Sequence, residues 1–303
     1  MAKANLRVGY LPIVDHLILG MAKEKQLEKT DLQLEKKFGW NEIGDSLKAG
    51  EIDVAFMLAP YAMDLFYSEK NVKLLLLSHR DGSVIVANKA ANINSIADFK
   101  GKTILIPYQA SMHNILLHKK LKEEGLSLGI GKDVTTEVTA PGQIPMMIEY
   151  DPDGFIAGYI VAEPFGTQVV NNGLGTVMNL SKEIMPNHPC CAVVVRDDVI
   201  KNNPESVQEL ISALVEAGKA VYTNIESTVK TAMDFLGQTE PVVRAILEDP
   251  NRRVSMDKLM PKADEFTFIQ DYLLDTVTTP ALSGKINVND FLDLSFAKNA
   301  GAE

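Results

Sequence analysis

Two stretches of this chain alternate short β-branched runs with amphipathic helical runs, and the two stretches follow the same plan. In the first, Leu6 to Leu11 reads as a strand, followed by a helix with Leu17, Ile18, Met21 and Ala22 on one face and Asp15 placed to cap it. A strand from Leu32 to Lys36, a short helix from Ile43 to Ala49 ended by Gly50, a buried strand from Asp53 to Met57 and a helix opening near Pro60 complete the unit. The second begins after Gly101, with strands at Thr103 to Ile106, Val134 to Val138 and Phe155 to Val161. Its helices start at Ser111, around Met146 and at Pro164. Asp53-Val54-Ala55-Phe56 before Pro60 parallels Asp153-Gly154-Phe155-Ile156 before Pro164. Such alternation builds largely parallel sheets covered by helices, so the chain reads as two similarly built α/β lobes.

The β-branched runs Ser83 to Asn88 and Ala192 to Arg196 stand where the chain would pass from one lobe to the other and return. Two crossing strands of this kind form a hinge. The expected division is residues 1–86 with 194–303 in the first lobe and 87–193 in the second. After Asn203-Pro204 the chain is mostly helical, with runs at Val207 to Tyr222, Ser227 to Leu236, Glu240 to Leu247, Ala263 to Leu274 and Val288 to Ala297, which are expected to wrap the first lobe.

A length of 303 residues allows a sizeable core and favours two lobes over one. The net charge of −10 excludes a broad nucleic-acid surface, which needs clustered Lys and Arg. It does not exclude a small anion, because helix N-termini attract anions locally whatever the overall charge. The only cysteines, Cys190 and Cys191, are adjacent and offer no disulfide framework or spaced zinc motif. Successive side chains of a strand face opposite ways, so the two thiols are expected to point apart, with Cys190 facing the cleft. No apolar run approaches the ~20 residues that span a bilayer. The start, Met1 to Asn5, runs into a strand without a secretory pattern, so the chain is either cytosolic or begins after a removed leader. Nucleotide, nucleophile-elbow and zinc-protease motifs do not occur, and neither a catalytic residue, a cofactor nor a metal is expected.

Ligands of open α/β sheets lie at the carboxyl ends of strands, where turns lead into helices. Four turns qualify. Pro12, Asp15 and His16 belong to the first, and Leu58, Ala59 and Pro60 to the second. Gln109, Ala110, Ser111, Met112 and His113 form the third, and Glu163 and Phe165 the fourth. Ser111 either gives a donor cluster for an oxyanion or simply caps its helix, and His113 is either a ligand donor or structural. Glu163 either serves a helix start or pairs with a ligand amine or a metal ion. Trp40, after Gly39, either walls the pocket or plugs the core. Ser83, opening the first crossing run, completes the candidate set.

Arg7-Val8-Gly9-Tyr10-Leu11-Pro12, Leu47-Lys48-Ala49-Gly50-Glu51-Ile52-Asp53-Val54-Ala55, Ile96-Ala97-Asp98-Phe99-Lys100-Gly101-Lys102-Thr103 and Glu163-Pro164-Phe165, in this order, resemble the type II periplasmic binding proteins of the nitrate, taurine, sulfonate and thiamine-pyrimidine group. Asn203-Pro204-Glu205 and Ile286-Asn287-Val288-Asn289-Asp290-Phe291 extend the resemblance over most of the chain. The resemblance implies a two-lobed Venus-flytrap fold and delivery of a small solute to an ABC importer, with Trp40 and His113 as counterparts of cleft-facing binding residues. The implied ligand is a small anionic or zwitterionic molecule, sulfonate-, taurine-, nitrate- or pyrimidine-like. The implied partner is a membrane ABC permease, with the protein monomeric and extracytoplasmic or lipid-anchored. The competing readings are an enzyme on the same fold and a cytosolic ligand sensor.

Overall fold

The computed structural model describes residues 3–276 and 281–303, so Met1 and Ala2 lie outside it. The first sheet begins with β1 (Ala4–Tyr10), whose alternate residues Leu6, Val8 and Tyr10 enter the core. A turn over Val14–His16 leads into α1 (Leu17–Lys23) and then β2 (Thr30–Lys36), which pairs parallel to β1. Helix α2 (Trp40–Lys48) returns to β3 (Val54–Leu58), parallel to the other edge of β1. At Gly9 an added Cβ would stand 2.5 Å from Ile52 Cδ1, so the end of the Ile52 side chain would have to shift. Helix α3 (Ala59–Glu69), with Pro60 in its first turn, and β4 (Val72–Leu77) follow.

The chain then crosses through Ser78–Gly82, where the short β5 (Arg80–Asp81) lies, into β6 (Ser83–Asn88). The second sheet adds β7 (Thr103–Ile106), α4 (Met112–Glu123), β8 (Thr135–Val138), α5 (Ile144–Glu149), β9 (Ile156–Ala162), α6 (Phe165–Asn171) and β10 (Gly175–Leu180). Helix α7 (Ser181–Ile184) opens the return, which ends in β11 (Cys191–Arg196).

The sheet orders are β2-β1-β3-β11-β4 and β8-β7-β9-β6-β10. They are the same topology twice. In each sheet two parallel pairs join the first three strands, and the fourth position is an antiparallel strand that arrives by a crossing. Strands β6 and β11, which limits at 86/87 and 193/194 would cut, each lie wholly in one sheet. Strands β3 and β11 are buried on both faces, as their unbroken apolar runs demand.

The remainder supplies α8 (Asp197–Asn202), α9 (Pro204–Ala220), α10 (Ile225–Leu236), α11 (Glu240–Leu247), β12 (Val254–Ser255) and α12 (Ala263–Asp275). The apolar faces of α8 to α11 pack with α1 and one face of the first sheet, whereas α12 buries Phe266, Ile269 and Leu273 in the other cluster, against α3 and α4. They reach further than a wrapping of the first lobe. Helix α11 touches α6, and Tyr272 of α12 hydrogen-bonds His118 Nδ1 of α4 at 2.8 Å. The last expected helix is broken into α13 (Val288–Phe291) and α14 (Ser295–Asn299), because Leu292 bridges to Leu74 and the Asp293 amide donates to the Leu74 carbonyl. Pairing to an edge strand there outweighs helix continuation.

Candidate binding site between the lobes

The four turns meet. The Val14 amide of the first lobe donates to the Glu163 carbonyl of the second at 2.9 Å, and the rings of Tyr61 (α3) and Tyr108 (after β7) lie 4.5 Å apart. One apolar cluster runs across the junction from Leu11, Ile13 and Trp40 to Ile144 and Phe165. The seam keeps a cavity of about 50 Å³ between Leu11, Pro12, Ile13 and Phe38 on one side and Pro141, Gly142 and Phe165 on the other. The lobes are closed. A concavity of about 540 Å³ lies on the outer face among Glu28, Lys29 and Asn202 to Ser206, but none of the buried unpartnered polar side-chain atoms lines it.

Deep in the seam stands a contiguous set of buried polar side chains. Trp40 begins α2 with its ring edge-on to His16, centroids 5.8 Å apart, and its Nε1 has no hydrogen-bond partner. The His16 ring is fixed by Nδ1, which lies 3.1 Å from both N and O of Leu11, and Nε2 is left unpartnered. Burial drives His16 down to about 3, so its ring is neutral. His79 follows, with Nδ1 held 3.2 Å from Ser78 Oγ and Nε2 3.1 Å from Asp15 Oδ2, without the alignment of a hydrogen bond. Burial opposes the charge on His79, but the Asp15 carboxylate prevails and lifts it to about 10. Burial lifts Asp15 to about 6, against the pull of His79. Across the seam, His113 sets Nε2 2.9 Å from Ser83 Oγ, leaves Nδ1 unpartnered, and is lowered by burial to about 4.

Cys190 and Cys191 join this set, both fully buried. Their expected divergence does not occur. Cys190 precedes β11, between the Pro189 bridge to Arg80 and the first strand residue, so strand alternation does not govern it. The Cys191 thiol donates toward Asp15 Oδ2 at 3.8 Å. Cys190 is pulled well below the usual thiol range by its hydrogen bond from Cys191, with His113 and His79 adding to the effect. Burial pushes Cys191 well up.

The expected residues therefore separate into two groups. Asp15, His16, Trp40, Ser83, His113 and Cys190 come together, and Pro12 and Phe165 line the small seam cavity. Asp15 does not cap α1, which has no side-chain cap. Ser111 is spent on its own helix: its hydroxyl accepts from the Asn114 amide at 3.1 Å and donates to the Tyr108 carbonyl at 2.6 Å. Gln109 is engaged by the Asn114 side chain, while Ala110 and Met112 are buried beside it. The Ala59 amide, between Leu58 and Pro60, is taken by the Cys190 carbonyl at 2.9 Å. Glu163, ahead of a cis bond to Pro164, accepts from Thr167 N and Oγ1 and from Arg253 Nη1, each at 2.8 Å. Its charge is answered within the chain. His79 and Arg253 were not anticipated; the polar run Ser78-His79-Arg80-Asp81 directly after the apolar Leu74–Leu77 is the sequence signal for the former.

A model of the NMT1-like family matches residues 1–233. The chain belongs to the NMT1-like family. This NMT1-like chain is 26% identical, over 235 residues and 70% of its length, to the nitrate/nitrite binding protein NrtA of Nostoc sp., and it spans 52% of that relative. Among solved structures it is similar to the ligand-binding component of an ABC-type import system from Staphylococcus aureus with zinc bound (TM-score 0.85, 23% identity, 98% of this chain and 99% of the other). It is also similar to the periplasmic nitrate-binding protein NrtA from Synechocystis (TM-score 0.86, 17% identity, 99% and 88%). The NMT1-like chain thus has the two-lobed periplasmic-binding-protein fold that its sequence led one to expect. Among the described residues no helix is long and apolar enough to cross a membrane.

Proposed function

We propose that this chain is the solute-binding component of an ABC importer, closing its lobes on a small anion or zwitterion and passing it unchanged to a membrane permease. The carrying observation is the cluster of unpartnered buried atoms in the seam: Trp40 Nε1, His16 Nε2 and His113 Nδ1 are withdrawn from water and receive nothing from the chain. Buried polar groups left unpaired cost about 1–3 kcal/mol each, a penalty that a hydrogen-bonding guest removes. Neutral His16 and His113 and the indole N–H suit a small oxyanion in their reach. Family membership and the nitrate-binding relatives support the same class. The lobe limits fall in this reading within the crossings at residues 78–82 and 181–190. Binding and release take place outside the cytoplasm, with the protein as a monomer.

A thermal-shift series with nitrate, bicarbonate, taurine, alkanesulfonates and a pyrimidine tests this directly. At a hundredfold excess over Kd a true ligand adds about 2.7 kcal/mol, roughly 5 °C in Tm. Mass spectrometry of the released molecule should return it unaltered. No shift with any of these classes, or conversion of one of them, would overturn the reading.

A further inference from the structure

We propose that the root of the cleft holds one borderline-soft divalent transition-metal ion, of the zinc class, on Asp15, His79, Cys190 and Cys191. The ligand atoms of these four residues all lie within 4.8 Å of one another, and all four residues are buried. They come from three separate segments, the turn after β1, the outward crossing and the return, so the grouping is a product of the tertiary fold.

Two thiolates, an imidazole and a carboxylate form a complete tetrahedral set for zinc. Two of the six edges lie close to that geometry, and the widest, within 4.8 Å, would have to draw in on binding. Bonds of about 2.0–2.2 Å to N and O and 2.3 Å to S place tetrahedral N···O edges near 3.3 Å and S···O edges near 3.5 Å. Here His79 Nε2 and Asp15 Oδ2 are 3.1 Å apart, and Cys191 Sγ and Asp15 Oδ2 are 3.8 Å apart. His79 Nε2 stands beside the carboxylate without hydrogen-bonding it, and Asp15 Oδ1 is also unpartnered. The Ser78 hydroxyl at His79 Nδ1 supplies the outer contact that orients a ligating imidazole. The ion would tie both crossings to the first-lobe turn.

The test uses the full chain, stripped of metal and kept reduced, with Co(II) and Zn(II) as probes. One equivalent of Co(II) should give a thiolate-to-cobalt charge-transfer band and the visible bands of a tetrahedral site, and one equivalent of Zn(II) should displace it. The Cys190→Ser/Cys191→Ser variant should lose the charge-transfer band and weaken Zn(II) binding by roughly 100-fold or more, and Asp15→Asn by roughly 10-fold. Wild-type protein showing no thiolate band with Co(II) overturns the proposal without any variant, so misfolding of a variant cannot rescue it. A solute shift in metal-free protein lacking the band removes the metal site alone. The band without any solute shift upholds the metal site and removes the importer reading.

Discussion

His16 and His113 are held neutral by burial, and this sets how the protein responds to acid. Their folded values, about 3 and about 4, lie below the unfolded value near 6.5, so the unfolded chain takes up protons first. Their contribution is complete above about pH 6.5 and is lost as pH falls toward those folded values. At pH 5 each costs about 2 kcal/mol, while Asp15, lifted to about 6, returns about 1 kcal/mol by protonating in the fold. His79, raised to about 10 and so protonated in the fold throughout, returns about 1 kcal/mol more, and the metal-free protein should therefore lose roughly 2 kcal/mol between pH 7 and pH 5 in urea titrations. Constant stability across that interval would contradict the assigned neutral histidines. At this scale the sequence was half legible. Trp40 and His113 stood at strand-to-helix turns and are where that position puts them. Ser111 and Glu163 looked equally apt, yet Ser111 is spent on the local cap contacts that its sequence equally allowed, and Glu163 on Arg253, a partner set by tertiary packing that no local pattern encodes.

Among the elements, α2 and α3 show how closely the first-lobe wall of the seam is fitted. Gly44 of α2 lies against Tyr61, and a Cβ there would stand 2.0 Å from Tyr61 Oη and 2.5 Å from Cζ. Tyr61 in turn meets Tyr108 across the seam. Alanine normally favours a helix over glycine by about 1 kcal/mol, but Gly44→Ala must push a buried ring into its neighbour, and overpacking costs about 1–3 kcal/mol. A net loss of stability in thermal unfolding is expected; a gain would show that the ring yields freely. Most strands and helices were readable from apolar periodicity, because each buries one face or two. The misreadings share one cause: at Leu292, and at Cys190 before β11, pairing with distant segments overrides the local period.

For the whole molecule, the repeat of one sheet order in both lobes was legible in the parallel between the segments before Pro60 and Pro164. Where the lobes hand over was less so, since β6 and β11 look like connectors in sequence and become interior strands in space. The central claim is that a guest is gripped between the lobes beside the single tryptophan, Trp40. Titrating the protein with each anion that raises Tm, while following Trp40 fluorescence and binding heat together, tests it most directly. The account predicts one saturable fluorescence change per chain with the same midpoint as the heat, and at least tenfold weaker binding in Trp40→Phe. Tight binding by heat with unaltered Trp40 emission and unaltered affinity in Trp40→Phe would place the ligand elsewhere and contradict it.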